Sequence, residues 1–238
     1  MTDAARNIHG HLLGTVSFDA ALELQLRLVD EAAKCGEPKG TILLCEHPPL
    51  LTLGRQGSRL QVRFDDETLA RRGLDLRWVN RGGGAIVHGP GQLAAYAVVP
   101  LARFGLTVGR YLDVWQAALE AMAADVGFPT LAKPQRLGLW SRHGQAAFVG
   151  VAVRHDIAYF GAYVNVAPPE RMIHAATGDP IDGTEPTTLA TSQRRPVRMP
   201  TVRQSLLARL STGLGCERYH VFTGHPRLPR TVVSPTPE

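Results

Sequence analysis

From Ser17 onward, apolar residues recur at three- and four-residue steps: Phe18, Ala21, Leu22, Leu26, Val29 and Ala33. With Ser17 or Asp19 as a cap, the spacing predicts a helix that Gly36 and Pro38 stop. Thr41–Cys45 is a short β-tolerant run closed by His47-Pro48-Pro49, and Leu50–Leu53 resumes before Gly54, which reads as strand, bend, strand. Leu76–Val79 is a further short strand. Positions 81–91 then hold five Gly and a Pro, a glycine-rich loop that leads into the apolar run Leu93–Pro100. Gly109–Val126 is the second clear helix, with Leu112, Trp115, Leu119, Met122 and Val126 on one face and Gly127-Phe128-Pro129 as its stop.

Leu137–Trp140, Ala146–Val153 and Ile157–Val166 are strand-like, separated by His143-Gly144 and Arg154-His155-Asp156, and predict a three-stranded antiparallel meander closed by Pro168 and Pro169. Residues 170–198, punctuated by Gly178, Pro180, Gly183 and Pro186, read as irregular, and Val202–Leu210 as a short amphipathic helix. Four prolines fall in the thirteen residues from Pro226, which predicts a flexible tail over 226–238. No internal repeat or linker divides the rest, so the expectation is a single α/β domain over 1–225, a mixed β-sheet with flanking helices.

Composition narrows the class. With 44% hydrophobic and 20% charged residues, 24 Gly and 17 Pro, the chain reads as soluble and globular, not collagen-like, coiled-coil or disordered. The net charge of +5, 26 basic residues against 21 acidic, is a mild bias toward anionic partners and falls short of a nucleic-acid footprint. Three widely spaced cysteines, Cys35, Cys45 and Cys216, indicate neither a disulfide framework nor a zinc site, and His9-x-His11 has no metal-ligand spacing. The first twenty residues have no apolar h-region, and the longest apolar run, Leu93–Ala102, contains Pro100. The expectation is a cytoplasmic protein with no membrane span, metal or cofactor.

Chemistry concentrates in residues 81–92, Arg-Gly-Gly-Gly-Ala-Ile-Val-His-Gly-Pro-Gly-Gln. Consecutive glycines let backbone approach a ligand and present N–H groups to a carbonyl or phosphate, with Arg81 available to neutralise an anion. The same run also reads as a tight crossover between strands, its glycines relieving crowding and His88 hydrogen-bonded outside any site. It is not a Walker A loop, because no Gly-Lys-Ser/Thr follows.

The segment Arg81–Leu93 resembles the signature Arg-Gly-Gly-x-x-x-x-His-Gly-Pro-Gly-Gln-Leu of lipoyl(octanoyl) transferases, which move an octanoyl group from acyl carrier protein to a lipoyl-domain lysine. Glu46-His-Pro-Pro-Leu-Leu-Thr-Leu-Gly-Arg55 resembles the same family's Glu-His-Pro-Pro-x-x-Thr-x-Gly-Arg, at a fitting distance. Downstream, Gly138-Leu-Trp140, Val149-Gly-Val-Ala-Val-Arg154 and Tyr159-Phe-Gly-Ala-Tyr-Val-Asn-Val166 resemble three further family segments. The resemblance spans roughly residues 10–212. It implies the single-domain fold of biotin and lipoate protein ligase catalytic domains, with acyl carrier protein and a lipoyl-domain protein as partners. The sequence leaves the oligomeric state open, with a monomer favoured, and points to no cofactor. Carried over by position, it places substrate contacts at Arg81, Gly82, Gly83, Gly84, Ala85, Ile86, Val87 and His88. Phe148, Val149, Gly150, Gly161, Ala162 and Tyr163 complete an apolar tunnel that Phe160 and Tyr163 shorten. A basic rim from Arg55, Arg59, Arg63 and Arg81 would suit an acidic carrier, and a solvated surface run accounts for the first three equally well.

The departures from the family carry equal weight. Its acyl transfer runs through a cysteine thioester activated by a lysine. The lysine position falls on Gln145, the cysteine position on Thr177, and the histidine of Tyr-His-Gly on Phe160. Glutamine carries no proton and a threonine hydroxyl is a poor nucleophile without a strong base, so the resemblance implies an octanoyltransferase-like protein in which the usual thioester mechanism does not operate. The alternatives are an active acyltransferase whose nucleophile is Thr177, with His174 or His88 as base, or Cys45, and a lipoate-ligase-like adenylating enzyme. Cys45 within Ile-Leu-Leu-Cys also reads as core, and Lys133 has no motif support.

Overall fold

The computed structural model describes residues 6–133, 135–177, 183–191, 196–216 and 218–228. In chain order the elements are β1 (Asn7–Thr15), α1 (Phe18–Lys34), β2 (Lys39–Glu46), β3 (Leu50–Leu53), α2 (Asp66–Arg71), β4 (Asp75–Trp78), β5 (Ala85–His88) and β6 (Gln92–Pro100). Then follow α3 (Val108–Asp125), β7 (Leu139–Ser141), β8 (Gly144–Arg154), β9 (Ile157–Asn165), α4 (Glu170–Ile173), α5 (Met199–Gly213) and β10 (Tyr219–Thr223). Seven strands form one mixed sheet in the order β10-β1-β2-β6-β9-β8-β7, and β4-β3-β5 form a small second sheet.

Helices α1 and α3 start where their caps stand. Ser17 Oγ accepts from Ala20 N at 3.2 Å and Thr107 Oγ1 from Arg110 N at 3.3 Å, each satisfying a donor that the first turn leaves free. The α1 stripe Phe18, Ala21, Leu24 and Val29 packs on one face of the large sheet with Leu43, Cys45, Tyr96 and Tyr163. On the other face α3 and α5 bury Tyr111, Trp115, Leu119, Leu206 and Leu210 against Ile42, Ala95 and Ala162. Strands covered on both faces have no polar side to show, which is why β6 and β9 are buried along their whole length. Gly161 permits the closest of these contacts: a Cβ there would stand 2.5 Å from Trp115 Cζ2 and collide with Ala95 O.

The predicted meander is present: β7, β8 and β9 pair antiparallel, and Arg154↔Ile157 closes a two-residue turn in which His155 and Asp156 both take positive φ, 52° and 62°. The structure differs from the sequence expectations at several places, among them α2, a six-residue helix capped by Asp65 where no element was predicted. β1 and β10 were not predicted, because His9, Gly10, His11 and Gly14 break the apolar alternation of β1 and the paired strand β10 is exposed along most of its length. Ala85–His88, expected within the glycine-rich loop, is strand β5, paired antiparallel to β3. The span expected to be irregular contains α4, and α5 begins earlier than expected, at Met199, with Pro200 in its first turn, where a missing N–H costs nothing. Phe160, in the middle of β9, takes φ 60°, and its N–H donates to the buried Gln25 Oε1 at 2.9 Å. Of the expected tail, Arg227 pairs with Glu31 and Leu228 packs on the α1 side of the core, while 229–238 lie outside the described residues. Among the described residues no helix is long and apolar enough to cross a membrane, and no group of three or more His, Cys, Asp or Glu side chains is placed to hold a metal ion.

Candidate functional site

Residues 79–84 are the crossover from β4 to β5, strands of the small sheet with β3 between them, and they lie against β8 of the large sheet. Gly82 N donates to Val151 O at 3.0 Å on β8, and Gly83 N donates to Gln56 Oε1. The carbonyls of Arg81, Gly83 and Gly84 accept from the backbone N–H groups of Arg55, Gln56 and Gly54. A Cβ at Gly150 would stand 2.5 Å from Gly82 O, so a glycine on β8 is what lets the crossover lie on the strand. The donors of Gly82 and Gly83 are therefore spent within the protein.

Arg81 is 0% exposed. Its Nη1 donates to Gly82 O and Gly84 O at 3.0 and 3.1 Å, and its Nη2 to Thr52 O and Thr52 Oγ1 at 3.1 and 2.6 Å. The guanidinium also lies over the Tyr163 ring, 5.5 Å from its centroid. Among the described residues no carboxylate pairs with it, and the buried Arg81 Nε and Tyr163 Oη make no hydrogen bond. This arginine holds the crossover and does not reach the surface, so it is no part of the expected basic rim.

From Arg81 a chain of hydrogen bonds runs through the interior and fixes the protonation of His88. Thr52 Oγ1 accepts from Arg81, so its own proton goes to His88 Nε2 at 2.8 Å. His88 Nδ1 then donates to Gln92 Oε1 at 2.9 Å, and Gln92 Nε2 donates to Val87 O and to Asn165 Oδ1, at 2.7 and 2.9 Å. Asn165 Nδ2 donates to Thr187 O at 3.0 Å, and Thr187 N to Gln145 O at 2.9 Å. Burial, followed by the nearby His47 and Arg81, pushes the His88 pKa well below the ordinary histidine value. A neutral imidazole with both nitrogens engaged is a structural relay and not a free base.

A second buried histidine sits beside Cys45. His47 Nδ1 donates to Val16 O at 2.7 Å, and its Nε2 accepts from the Tyr96 hydroxyl at 2.6 Å, with Cys45 Sγ 3.7 Å away. Burial brings the His47 pKa down to about 4 and pushes the Cys45 thiol up, with Glu46 adding to the latter. Both groups are held neutral, which disfavours the thiolate that a cysteine nucleophile needs.

Four of the fourteen expected contact residues, Ala85, Ile86, Val87 and Phe148, lie at a narrow cleft between the small sheet and β8, and the other ten do not line it. Ala85, Ile86, Val87, Phe148 and Thr177 line it, together with Asn165, Ile173, Ala176 and Pro186. The cavity of about 10 Å³ has room for about one water molecule. Behind Phe148, the pairs Phe148↔Tyr163, Val149↔Ala162 and Gly150↔Gly161 place the other expected contacts of those strands in one patch of the β8–β9 ladder, while Phe160 and Tyr163 are buried beneath it. Of the lining residues that sequence reasoning did not single out, Asn165 lies inside a family-like segment. Ile173, Ala176 and Pro186 come from a stretch with no periodicity to read.

Thr177 is held by its backbone, Thr177 N donating to Gln61 O at 2.9 Å. Among the described residues no side chain stands at hydrogen-bonding distance from its hydroxyl. His174 Nε2 donates to Pro186 O at 3.1 Å, and His88 is occupied as above. Gln145 does not line the cleft: its Nε2 donates to Ala147 O at 3.1 Å, and its buried Oε1 has no partner among the described residues. Lys133 Nζ donates to Thr184 Oγ1 at 3.0 Å and lies 4.1 Å from the centroid of Trp140, the strand partner of Gln145.

Comparison with known proteins agrees with this architecture. The family model described as "Lipoyl protein ligase A/B catalytic domain" matches residues 18–211. An octanoyltransferase of Geobacter metallireducens is 35% identical over 197 residues, covering 83% of this chain and 89% of the relative. One of Geotalea uraniireducens is 37% identical over 154 residues, covering 65% and 68%. Among solved structures, the bi-partite lipoate protein ligase of Thermoplasma acidophilum, described with its E2 lipoyl domain, superposes with a TM-score of 0.68 at 15% identity, covering 93% of this chain and 88% of that one. At that identity the likeness speaks for the fold alone.

Proposed function

Since the chain belongs to the lipoyl protein ligase A/B catalytic-domain family, we propose that it serves protein lipoylation by binding an octanoyl-type acyl group with its carrier protein or the lipoyl domain, without passing through a cysteine thioester. One observation carries the second half of this reading. Thr177, which the resemblance puts at the family's nucleophile position, lines the cleft with no base beside its hydroxyl among the described residues, and Gln145, which it puts at the lysine position, is turned to Ala147 O. Removing nucleophile and activator together lowers the rate on the order of 10⁴-fold or more. Binding an acyl chain requires neither a nucleophile nor its activator.

The acyl group would occupy the cleft between Ile86 and Phe148. Because the cavity holds about one water, entry of an eight-carbon chain requires those side chains to swing aside. A second reading, direct acceptance of the acyl group by Thr177, has in its favour that Thr177 lines the cleft. The adenylating reading loses support from the crossover, because the Gly82 and Gly83 donors that would meet a phosphate are already bonded to Val151 O and Gln56 Oε1.

The test is a titration of the intact protein with octanoyl-pantetheine, followed by heteronuclear NMR. Saturable binding with shifts at Ile86, Phe148 and Thr177 is the expected result. No binding, or shifts confined to other surfaces, would overturn the acyl-binding reading.

A further inference from the structure

At the edge of the large sheet, β10 has one strand neighbour, β1, and four of its five residues are exposed. The parallel register His9↔His220 and His11↔Phe222 sets four rings side by side on one face. The Phe222 centroid lies 5.3 Å from that of His9, 5.1 Å from that of His11 and 6.5 Å from that of His220, and His9 and His220 are 5.7 Å apart. After the strand the chain turns back: Gly224 N donates to Leu12 O at 2.7 Å, and the His225 ring comes within 4.6 Å of His11. Farther on, Arg227 pairs with Glu31, and Leu228 shares a groove with Ala20 and Leu24 of α1. Residues 219–228 thus strap the sheet edge to α1.

Neutral imidazoles suit this packing, and protonation works against it. Arg227 N donates to His225 Nδ1 at 3.3 Å, a bond that exists only while that nitrogen carries no proton. His11 differs, because its Nδ1 donates to Gly224 O at 2.9 Å and a proton on the other nitrogen leaves that bond intact. Partial burial, followed by Lys39 of β2, His220 and His11, lowers the His9 pKa. Partial burial, followed by His11 and Arg227, lowers that of His225, and Glu31 of α1 opposes the shift. Of the groups that act on these two rings, all are cationic when protonated except Glu31, which Arg227 already engages. One charged imidazole over Phe222 gains a cation–π contact, but a second and a third meet like charges at the same spacing. The stability that the neutral rings supply is complete above the ordinary histidine value of 6.5 and is lost as pH falls below it. Since β1 alone pairs with β10, detaching the strap relieves the repulsion and leaves the β1–β2 ladder in place.

We propose that residues 219–228 are an acid-released strap, in which protonation of His9, His220 and His225 frees β10 from β1 and lifts Leu228 from α1. Release uncovers the hydrogen-bonding edge of β1 and the groove beside Ala20 and Leu24. The device does not depend on the acyl-binding reading, and neither falls with the other.

Amide hydrogen exchange of the intact protein at pH 7.5 and pH 5.5, each rate divided by the intrinsic rate at that pH, tests the strap. Wild type is compared with the triple variant His9→Gln, His220→Gln, His225→Gln. Between the two pH values wild type is expected to lose about tenfold or more of its protection at Val221–Gly224, and the triple variant almost none. The acid loss of the whole fold through His47 and His88 is common to both proteins, and β6 amides report it separately. If the triple variant melts early at pH 7.5, His220→Gln alone, at an exposed position, takes its place and is expected to recover part of the lost protection. Protection of Val221–Gly224 in wild type that is equal at both pH values would overturn the strap, as would a loss undiminished in the variant.

Discussion

The Thr52 hydroxyl stands between a permanent cation and a neutral imidazole, accepting from Arg81 Nη2 at 2.6 Å and donating to His88 Nε2 at 2.8 Å. One small side chain thus sets the tautomer of His88 and supplies one of the four contacts made by the buried guanidinium, the Thr52 carbonyl supplying another. Thr52→Val keeps the shape and removes the hydroxyl, leaving a buried charge one partner short. The expected loss is about 3 kcal/mol in urea denaturation, with Thr52→Ser within about 1 kcal/mol of wild type. Equal stability of the valine variant would contradict the relay.

Acid should weaken the fold through the two buried histidines. Their folded pKa values lie below the ordinary value of 6.5, His47 at about 4. The unfolded chain therefore takes up protons near pH 6.5 that the native state refuses, and the contribution present above that pH is lost as pH falls toward 4. For His47 alone the loss amounts to about 3 kcal/mol. Denaturation at stepped pH reads it, and a stability flat from pH 7 to 4.5 would argue against neutral buried imidazoles.

Gly150→Ala places a methyl group 2.5 Å from Gly82 O and 3.2 Å from Arg81 Cδ. The crossover must lift from β8, so faster hydrogen exchange at the Gly82 amide and a stability loss of about 2 kcal/mol are expected. Exchange at Gly82 as slow as in wild type would show that the loop is held by something else.

Thr177→Cys combined with Gln145→Lys restores the residue types of the family's acyl-transfer pair. The double variant, incubated with octanoyl-carrier protein, is expected to gain a hydroxylamine-labile octanoyl adduct that wild type lacks and that either single variant forms more slowly. An adduct equally abundant on wild type would mean that the missing pair was never the obstacle.

Much of this architecture was legible in the sequence where one period dominates. α1 and α3 follow from three- and four-residue spacing, and the β7–β8–β9 meander from apolar runs cut by His143-Gly144 and Arg154-His155-Asp156. Strands β1 and β10 were not legible, since a strand carrying His9, Gly10 and His11 lacks alternation and gains its order from pairing with β2. The same limit holds for the site. Motifs brought Ala85–Val87, Phe148 and Thr177 to one cleft, whereas the burial of Arg81 and the engagement of His88 depend on Thr52, Gln92 and Asn165 converging from three strands. Cys45 read as core, and it is buried with its thiol pKa raised.

Intact mass spectrometry of the wild-type protein with octanoyl-loaded carrier protein and an unmodified lipoyl domain tests the central claim most directly, with an active octanoyltransferase run alongside. The account predicts that the control octanoylates the lipoyl domain, while this protein leaves the lipoyl domain unmodified and gains no mass itself. Octanoyl on the lipoyl domain, or on this chain at Thr177 or Cys45, would contradict it.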